Sequence, residues 1–349
     1  GLFMEKHSSI TNILFQVGAV VLALLFTSLI LIFSGASPVD AYFNILSGAF
    51  SSINKFADVL VAWIPLLLVT SGLLVTYAAG LWNIGIEGQI MLGAVFTTGI
   101  IRILQETSVE PVFVLIAGFL AGALGGALWA ALVGLLRIYG GVNEIFGGLG
   151  MNFVATALII WLIFGPWKRP GVGSMSGTVP FNESLWLPAI PGFRLSLWAL
   201  GIAILGIVVI YLLLQGTYFG LRLKAVGKNI RAAHLLGVST GWYSITAFLI
   251  CGAFAGIAGA VQVTATYHRL IPSISSGYGF LGLLVAMLIN YRAIWAAPVS
   301  LFFAILNIGS IQLPIVLKLD SALAGVLQGS LVLFVVMMDG VRRRLMGRK

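Results

Sequence analysis

The stretch Asn83-Ile84-Gly85-Ile86-Glu87-Gly88-Gln89 constrains this chain more than any other. It sets three polar side chains and two glycines between segments, 58–80 and 90–101, that otherwise read as membrane spans. Polar or helix-breaking groups at membrane depth are tolerated only where protein buries them or where they line a cavity. A simple anchor has no use for such a break. A conduit does.

The composition agrees. Hydrophobic residues make up 60% of the 349 positions and charged residues 8%, with a mean hydropathy of +1.10. A soluble domain carries about 25% charge, so the chain reads as a polytopic membrane protein. The 43 glycines and 11 prolines fit helices that pack closely and are partly broken. A net charge of +9 would elsewhere suggest nucleic acid. In this chain the basic residues fall in short loops and in the tail, as the positive-inside rule expects, so no nucleic-acid partner is implied. The single Cys251 lies inside an apolar span, where it serves as a small packing residue.

Windows of about 20 apolar residues give ten candidate spans, at roughly 13–33, 58–80, 88–104, 111–136, 144–165, 195–215, 244–264, 277–291, 294–313 and 321–339. The expected fold is all-α, a polytopic bundle of about ten transmembrane helices with a broken or re-entrant segment near 81–89. One membrane domain fills 1–349. The segments at 88–104 and 277–291 could be half-helices, so the number of full spans runs from eight to ten. With the N-terminus inside, twelve Lys and Arg fall on the inner side and seven on the outer. Both termini are then cytoplasmic, loop 216–243 is cytoplasmic, and loop 166–194 is extracytoplasmic. The latter is rich in Pro and Gly and is expected to form a folded cap. Gly118, Gly122 and Gly126, and again Gly252 and Gly256, recur at a four-residue spacing that lets helix backbones approach.

Several chemistries leave no trace. No Gly-x-x-x-x-Gly-Lys-Ser/Thr string occurs, so the sequence carries no P-loop of its own. His7, His234 and His268 are far apart and show no metal-ligand spacing. No nucleophile–base motif suggests catalysis. Ionisable residues at mid-membrane, which proton- or sodium-driven carriers use, are scarce. The energy source is therefore expected in another subunit.

Within 216–243, Asn229 is a good N-cap for a short helix over Ile230–Leu236, ended by Gly237. Ile230, Ala233 and His234 share one face at i, i+3 and i+4, with Lys228 and Arg231 elsewhere around the axis. Such a helix can plug into a groove on a cytoplasmic partner. It reads equally as an ordinary basic loop.

The sequence resembles the membrane permease subunits of ABC importers in the group serving branched-chain amino acids, ribose and nucleosides. It is most similar to permeases of bacterial nucleoside uptake systems. The resemblance rests on Leu81–Gln89, Gly141-Val142-Asn143-Glu144-Ile145, Met151-Asn152, and Leu223-Lys224-Ala225-Val226-Gly227-Lys228-Asn229 with Arg231-Ala232-Ala233 and Gly237. It continues through His268-Arg269-Leu270, Gly277-Tyr278-Gly279-Phe280 and Leu327-Gln328-Gly329. Two departures stand out. Leu281 replaces a common acidic residue, and Asn290-Tyr291-Arg292-Ala293 replaces a Gly-Arg-Asn-type turn.

The resemblance implies a role for each group of residues. Ala225, Gly227, Lys228, Asn229, Ile230, Arg231, Ala232, Ala233, His234 and Gly237 would couple the chain to an ATPase. Asn83, Glu87, Gln89, Asn143, Glu144, Asn152, Tyr278 and Phe280 would line or gate a translocation path. From the residues alone, Asn83 and Asn143 also read as helix caps, Glu87 and Glu144 as partners of helix dipoles, and Tyr278 and Phe280 as packing. The implied partners are a second, non-identical permease, two ATP-binding subunits holding ATP and Mg, an extracytoplasmic solute-binding protein, and the bilayer of the bacterial inner membrane. The chain itself would hold no cofactor and no metal. A ribose or simple-sugar permease is the alternative within the group, and a stand-alone secondary carrier is the alternative outside it.

Overall fold

A computed structural model describes residues 2–171, 177–289, 292–320 and 322–346. Asn290 and Tyr291, the first half of one of the two departures, lie outside the described residues, as do Arg348 and Lys349 of the basic tail and part of loop 166–194. The described residues form α1 (Leu2–Phe33), α2 (Pro38–Phe50), α3 (Ile53–Ala78), α4 (Ile86–Leu104), α5 (Pro111–Ile138), α6 (Glu144–Phe164) and α7 (Leu197–Gly216). There follow α8 (Tyr218–Lys228), α9 (Ile230–Leu235), α10 (Thr240–Val261), α11 (Tyr278–Leu288), α12 (Ala296–Gly309), α13 (Gln312–Val316) and α14 (Ala322–Met346). No strand occurs among the described residues.

Each of the ten windows carries a helix. Among the described residues, seven helical segments are long and apolar enough to cross a membrane, or eight if α1 and α2 count as one bent span. With 11 residues, α11 extends about 16 Å, too short to cross a bilayer alone. Besides the short α9 expected in the basic loop, two helices lie wholly outside the predicted windows. α2 turns away from α1 by 108°, where Gly35 takes a positive φ of 78°. Ser37 caps α2 and Pro38 occupies its first position, where a missing N–H costs nothing. α8 precedes the short helix expected in the basic loop.

The chain divides into two compact units. The first comprises the segment up to Val59, Met287–Asn290 and the chain from Phe302 onward. Its core gathers Leu31 of α1, Ile45 of α2, Leu306 of α12, Leu313 of α13, and Leu327 and Leu331 of α14. Thr27 and Ser330 hydroxyls pair at 3.1 Å between α1 and α14, which satisfies two polar groups that would otherwise be costly there.

The second unit comprises Leu60–Ala286 with Tyr291–Leu301. Its most enclosed spans are α3 and α4, 83% and 72% buried, against 28% for each of α5, α6 and α7. The outward faces of these last three are apolar, with Leu120, Phe153 and Leu205 exposed, as expected of surfaces that meet lipid. The two glycine stripes meet one another: a Cβ added to Gly126 would lie 2.7 Å from Cα and N of Gly256. Gly93 and Gly259 bring α4 to the same place, with Gly93 backed against Gly256 and Gly259 against Ala94. Three helix backbones thus converge at Gly256, where Gly93 and Gly126 leave no room for a side chain, which only glycine permits.

The loop between α6 and α7 is fixed by backbone pairing to the chain after α10. Thr178 N donates to Leu270 O (2.9 Å), Phe181 N to His268 O (2.8 Å) and Leu187 N to Thr264 O (3.0 Å). Over its described residues, its Pro- and Gly-rich composition therefore yields an ordered layer with a single 3₁₀ turn at Glu183–Leu185 rather than an α-helix.

Candidate functional site

The break begins where α3 stops. Gly80 takes a positive φ of 72°, and Leu81 N returns to Thr76 O at 3.0 Å, so the chain leaves the helix and runs non-helically to Ile86. Asn83 then points inward and is fully buried. Its Nδ2 donates to Gln89 Oε1 at 2.8 Å and to Cys251 Sγ at 3.1 Å. Gln89 Nε2 donates back to Asn83 Oδ1, also at 2.8 Å. Cys251 stands midway along α10, so the break reaches the middle of a membrane-length helix. A buried amide without a partner costs about 1–3 kcal/mol, and this reciprocal pair removes that cost twice. Asn83→Leu is accordingly expected to lower stability by about 1–3 kcal/mol, because Gln89 is left stranded. Asn83→Leu combined with Gln89→Leu should cost less than the single change, a comparison made by thermal unfolding in detergent.

The helix that follows starts at a residue with no side chain. Gly85 precedes α4 and offers no cap, yet the first N–H groups of a helix need acceptors. Asn152 of α6 supplies one: its Oδ1 accepts from Gly88 N at 2.8 Å. Its Nδ2 donates to Ile84 O at 2.9 Å. The same device recurs at α11, which follows Gly277. There the Glu87 carboxylate accepts from Phe280 N at 3.1 Å, with Gly279 N and the Ser275 hydroxyl also turned toward it. A carboxylate at a helix N-terminus is favoured by the dipole as well as by the hydrogen bonds. α4 and α11 are thus two glycine-led helices, each capped by a side chain from another helix.

Asn83, Glu87, Gln89, Asn152, Tyr278 and Phe280 accordingly gather around the starts of α4 and α11. The polar groups are engaged with protein; Tyr278 is buried, and the Phe280 ring is 47% exposed. Asn143 and Glu144 stand apart, about two turns down α6 from Asn152. Asn143 Oδ1 accepts from Ile145 N at 2.9 Å, which makes it the N-cap of α6. Glu144 forms an ion pair with Arg137 of α5.

The basic loop is a second structured site. Thr217 caps α8, accepting from Gly220 N at 3.1 Å. Asn229 alone separates α8 from α9 and caps the latter through Ala232 N at 3.0 Å. α9 ends one residue earlier than its sequence suggests. Gly237 takes a φ of 80°, its N–H reaches His234 O, and Val238 N reaches Ala233 O, both at 3.0 Å. This six-to-one and five-to-two pairing closes the helix firmly. Ala225, Gly227 and Lys228 belong to α8, and Ile230, Arg231, Ala232, Ala233 and His234 to α9. The expected common face of Ile230, Ala233 and His234 divides: Ala233 is buried against the chain, whereas Ile230 and His234 are exposed. The apolar tip is instead Leu235 and Leu236, 85% and 82% exposed. Two adjacent leucines at a helix end carry no periodic signal, which is why the spacing argument passed over them.

At the far end of α7 and α10 from this loop lies a cavity of about 540 Å³ walled by Trp186, Phe193, Arg194 and His268. Trp186 and His268 stack with centroids 3.9 Å apart, and Thr264 O lies 3.0 Å from His268 Nδ1. Burial holds His268 below the usual imidazole range, so the ring is neutral at neutral pH. Among the described residues no cluster of His, Cys, Asp or Glu could hold a metal ion.

A polar, helix-broken core within a bundle of membrane-length helices, together with a tightly capped helix presented beyond their ends, defines a multi-pass helical membrane protein. A family model described as branched-chain amino acid transport system / permease component matches residues 55–336, and the chain belongs to that family. A glucose ABC transporter permease of Haloferax volcanii is 30% identical over 320 residues, covering 89% of this chain and 83% of the relative. A guanosine ABC transporter permease of Bacillus subtilis is 27% identical and covers 95% of both chains. A nucleoside ABC transporter permease of Lactococcus lactis is 25% identical, covering 84% of this chain and 82% of the relative. As a permease component the chain is a transport subunit rather than an enzyme.

Proposed function

We propose that the chain forms half of the translocation path of an ATP-driven importer for nucleosides and is driven through α8 and α9 by separate ATPase subunits. The observation that carries this reading is the α9 tip. Leu235 and Leu236 are almost fully exposed on a helix capped at both ends and flanked by Lys228 and Arg231. Isolated exposed leucines need no explanation, but two on a rigid, basic, projecting helix suit a cleft on a soluble partner. The positive charge supports a cytoplasmic side for this loop and for both termini. The cavity beside Trp186 and His268 then faces the exterior, where a solute-binding protein delivers substrate. A second permease completes the path, and two ATP-binding subunits hold ATP and Mg.

In this reading Asn83, Gln89, Glu87 and Asn152 shape the gate by fixing where α4 and α11 begin. Phe280 offers aromatic surface to a passing base, and the Asn143 and Glu144 pair anchors the start of α6. A neutral solute suits a core whose polar side chains, the Glu87 carboxylate included, are already engaged with protein. The relatives support both nucleoside and sugar transport, so glucose is the competing substrate class. Uptake of labelled guanosine into proteoliposomes holding the assembled complex, with glucose and ribose as competitors, separates them. Inhibition by sugars but not by nucleosides would overturn the nucleoside assignment. Replacing Leu235 and Leu236 together by Glu is expected to abolish retention of the ATPase subunits on purification while the permease still inserts. Normal ATPase retention would refute the docking role of α9.

A further inference from the structure

Between the exposed tip of α9 and the buried break lies a direct contact made of backbone. α8 buries Gly220, Leu223 and Val226, the i, i+3 and i+6 positions of one face, and Gly227, itself exposed, follows directly on that face. At Gly227 the helix rests on the end of α3. A Cβ added there would lie 2.9 Å from both Ala79 C and Gly80 N, and nearer still to Ala78 O. The fit is reciprocal: a Cβ on Gly80 would stand 3.0 Å from Gly227 O and 3.1 Å from Gly227 Cα. Gly80 also carries the positive φ that turns the chain out of α3, three residues before Asn83.

We propose that Gly227 and Gly80 form the contact through which displacement of α9 reaches the helix break. The proposal rests on the reading of α9 as the ATPase docking helix. Side chains between two elements can absorb a small displacement by changing rotamer. Two backbones in direct contact have no such slack, even where, as here, both glycines lie at the surface. Asn229 is the only residue between α8 and α9, so a push on the tip is carried along a short and stiff segment. Beyond Gly80, the amide pair of Asn83 and Gln89 ties the break to Cys251 of α10, and Asn152 and Glu87 tie it to α6 and α11. A shift at Gly80 therefore bears on the starts of both glycine-led helices. Gly227 and Gly80 are positioning residues that touch no solute.

The test uses the full complex of permeases, ATPases and binding protein in proteoliposomes. Gly227→Ala is expected to retain the ATPase subunits and to hydrolyse ATP, while losing most of the solute taken up per ATP. Gly216→Ala, whose added Cβ meets nothing within 4 Å, is expected to behave as the unaltered complex. Unchanged uptake per ATP in Gly227→Ala would overturn the proposal. Hydrogen exchange on the unaltered complex provides a measure that needs no substitution. Binding of a non-hydrolysable ATP analogue should alter exchange at amides 79–84 together with 229–236, and a change confined to 229–236 would overturn the proposal. The docking role of α9 stands or falls separately, on ATPase retention by the variant with Glu at 235 and 236.

Discussion

Gly256→Val is expected to leave almost no folded protein in the membrane, the largest effect of any single change to the helix packing. The added Cβ would lie 2.8 Å from Gly122 C and 3.1 Å from Gly126 N, and closer still to Gly122 O. A Cβ on the facing Gly93 would lie 2.8 Å from Gly256 C, so α4 closes the other side. Overpacking a core with one extra side chain costs about 1–3 kcal/mol where neighbouring side chains can adjust. The neighbours of Gly256 are backbone atoms of two other helices, so relief requires separating α4, α5 and α10 together. In a bilayer the attraction between helices comes chiefly from close packing, because lipid tails solvate an apolar surface as well as another helix does. Separation thus removes the force that assembles the unit. Gly201→Ala, facing open space on α7, is the matched control and should accumulate normally. Size-exclusion profiles of detergent extracts distinguish the two. A monodisperse Gly256→Val protein at normal yield would contradict the three-helix crossing.

That crossing was partly legible in the sequence, because glycines spaced by four declare a close approach whatever the partner. The partner itself was not legible: nothing local to Gly122 names Gly256. The same limit applies at the candidate site. Asn83, Glu87, Gln89 and Asn152 stand out as polar residues in apolar surroundings, and burial of a polar group demands a hydrogen bond. Which bond it makes depends on chain segments far away. Asn152 lies 64 residues from the Gly88 N–H that it accepts, and Glu87 lies 193 from Phe280. A local reading assigns Glu87 to the dipole of its own helix, whereas its carboxylate serves α11. α2 escaped notice for another reason. Its 13 residues fall below the length of a span, and a window tuned to span length cannot register them. At α9 the caps were readable because Asn229 and Gly237 act within a few residues, but the exposure of Leu235 and Leu236 follows from tertiary placement alone.

Replacing Asn152 tests how the break is held. Asn152→Leu is expected to destabilise the protein by about 2–6 kcal/mol, because two backbone groups lose their partners at about 1–3 kcal/mol each. Gly88 N sits in the first turn of α4 and Ile84 O in the non-helical segment before it, and Gly85 has no side chain to substitute for either bond. Water is scarce at this depth, so neither group can turn to solvent without opening the bundle. Asn152→Asp separates the two contributions. A carboxylate still accepts from Gly88 N and favours the positive end of α4, but it cannot donate to Ile84 O and brings a charge into the interior. If capping of α4 dominates, Asp is the milder change; if the tie to Ile84 dominates, it is at least as harmful as Leu. Thermal unfolding in detergent ranks the variants, and uptake by the assembled complex adds a second readout. Both variants should lose transport more steeply than stability, because the start of α4 would no longer be fixed relative to α6 when the break is driven. Unfolding temperatures equal to that of the parent would show that the Asn152 amide does not hold the break, and the capping of α4 by α6 would have to be abandoned.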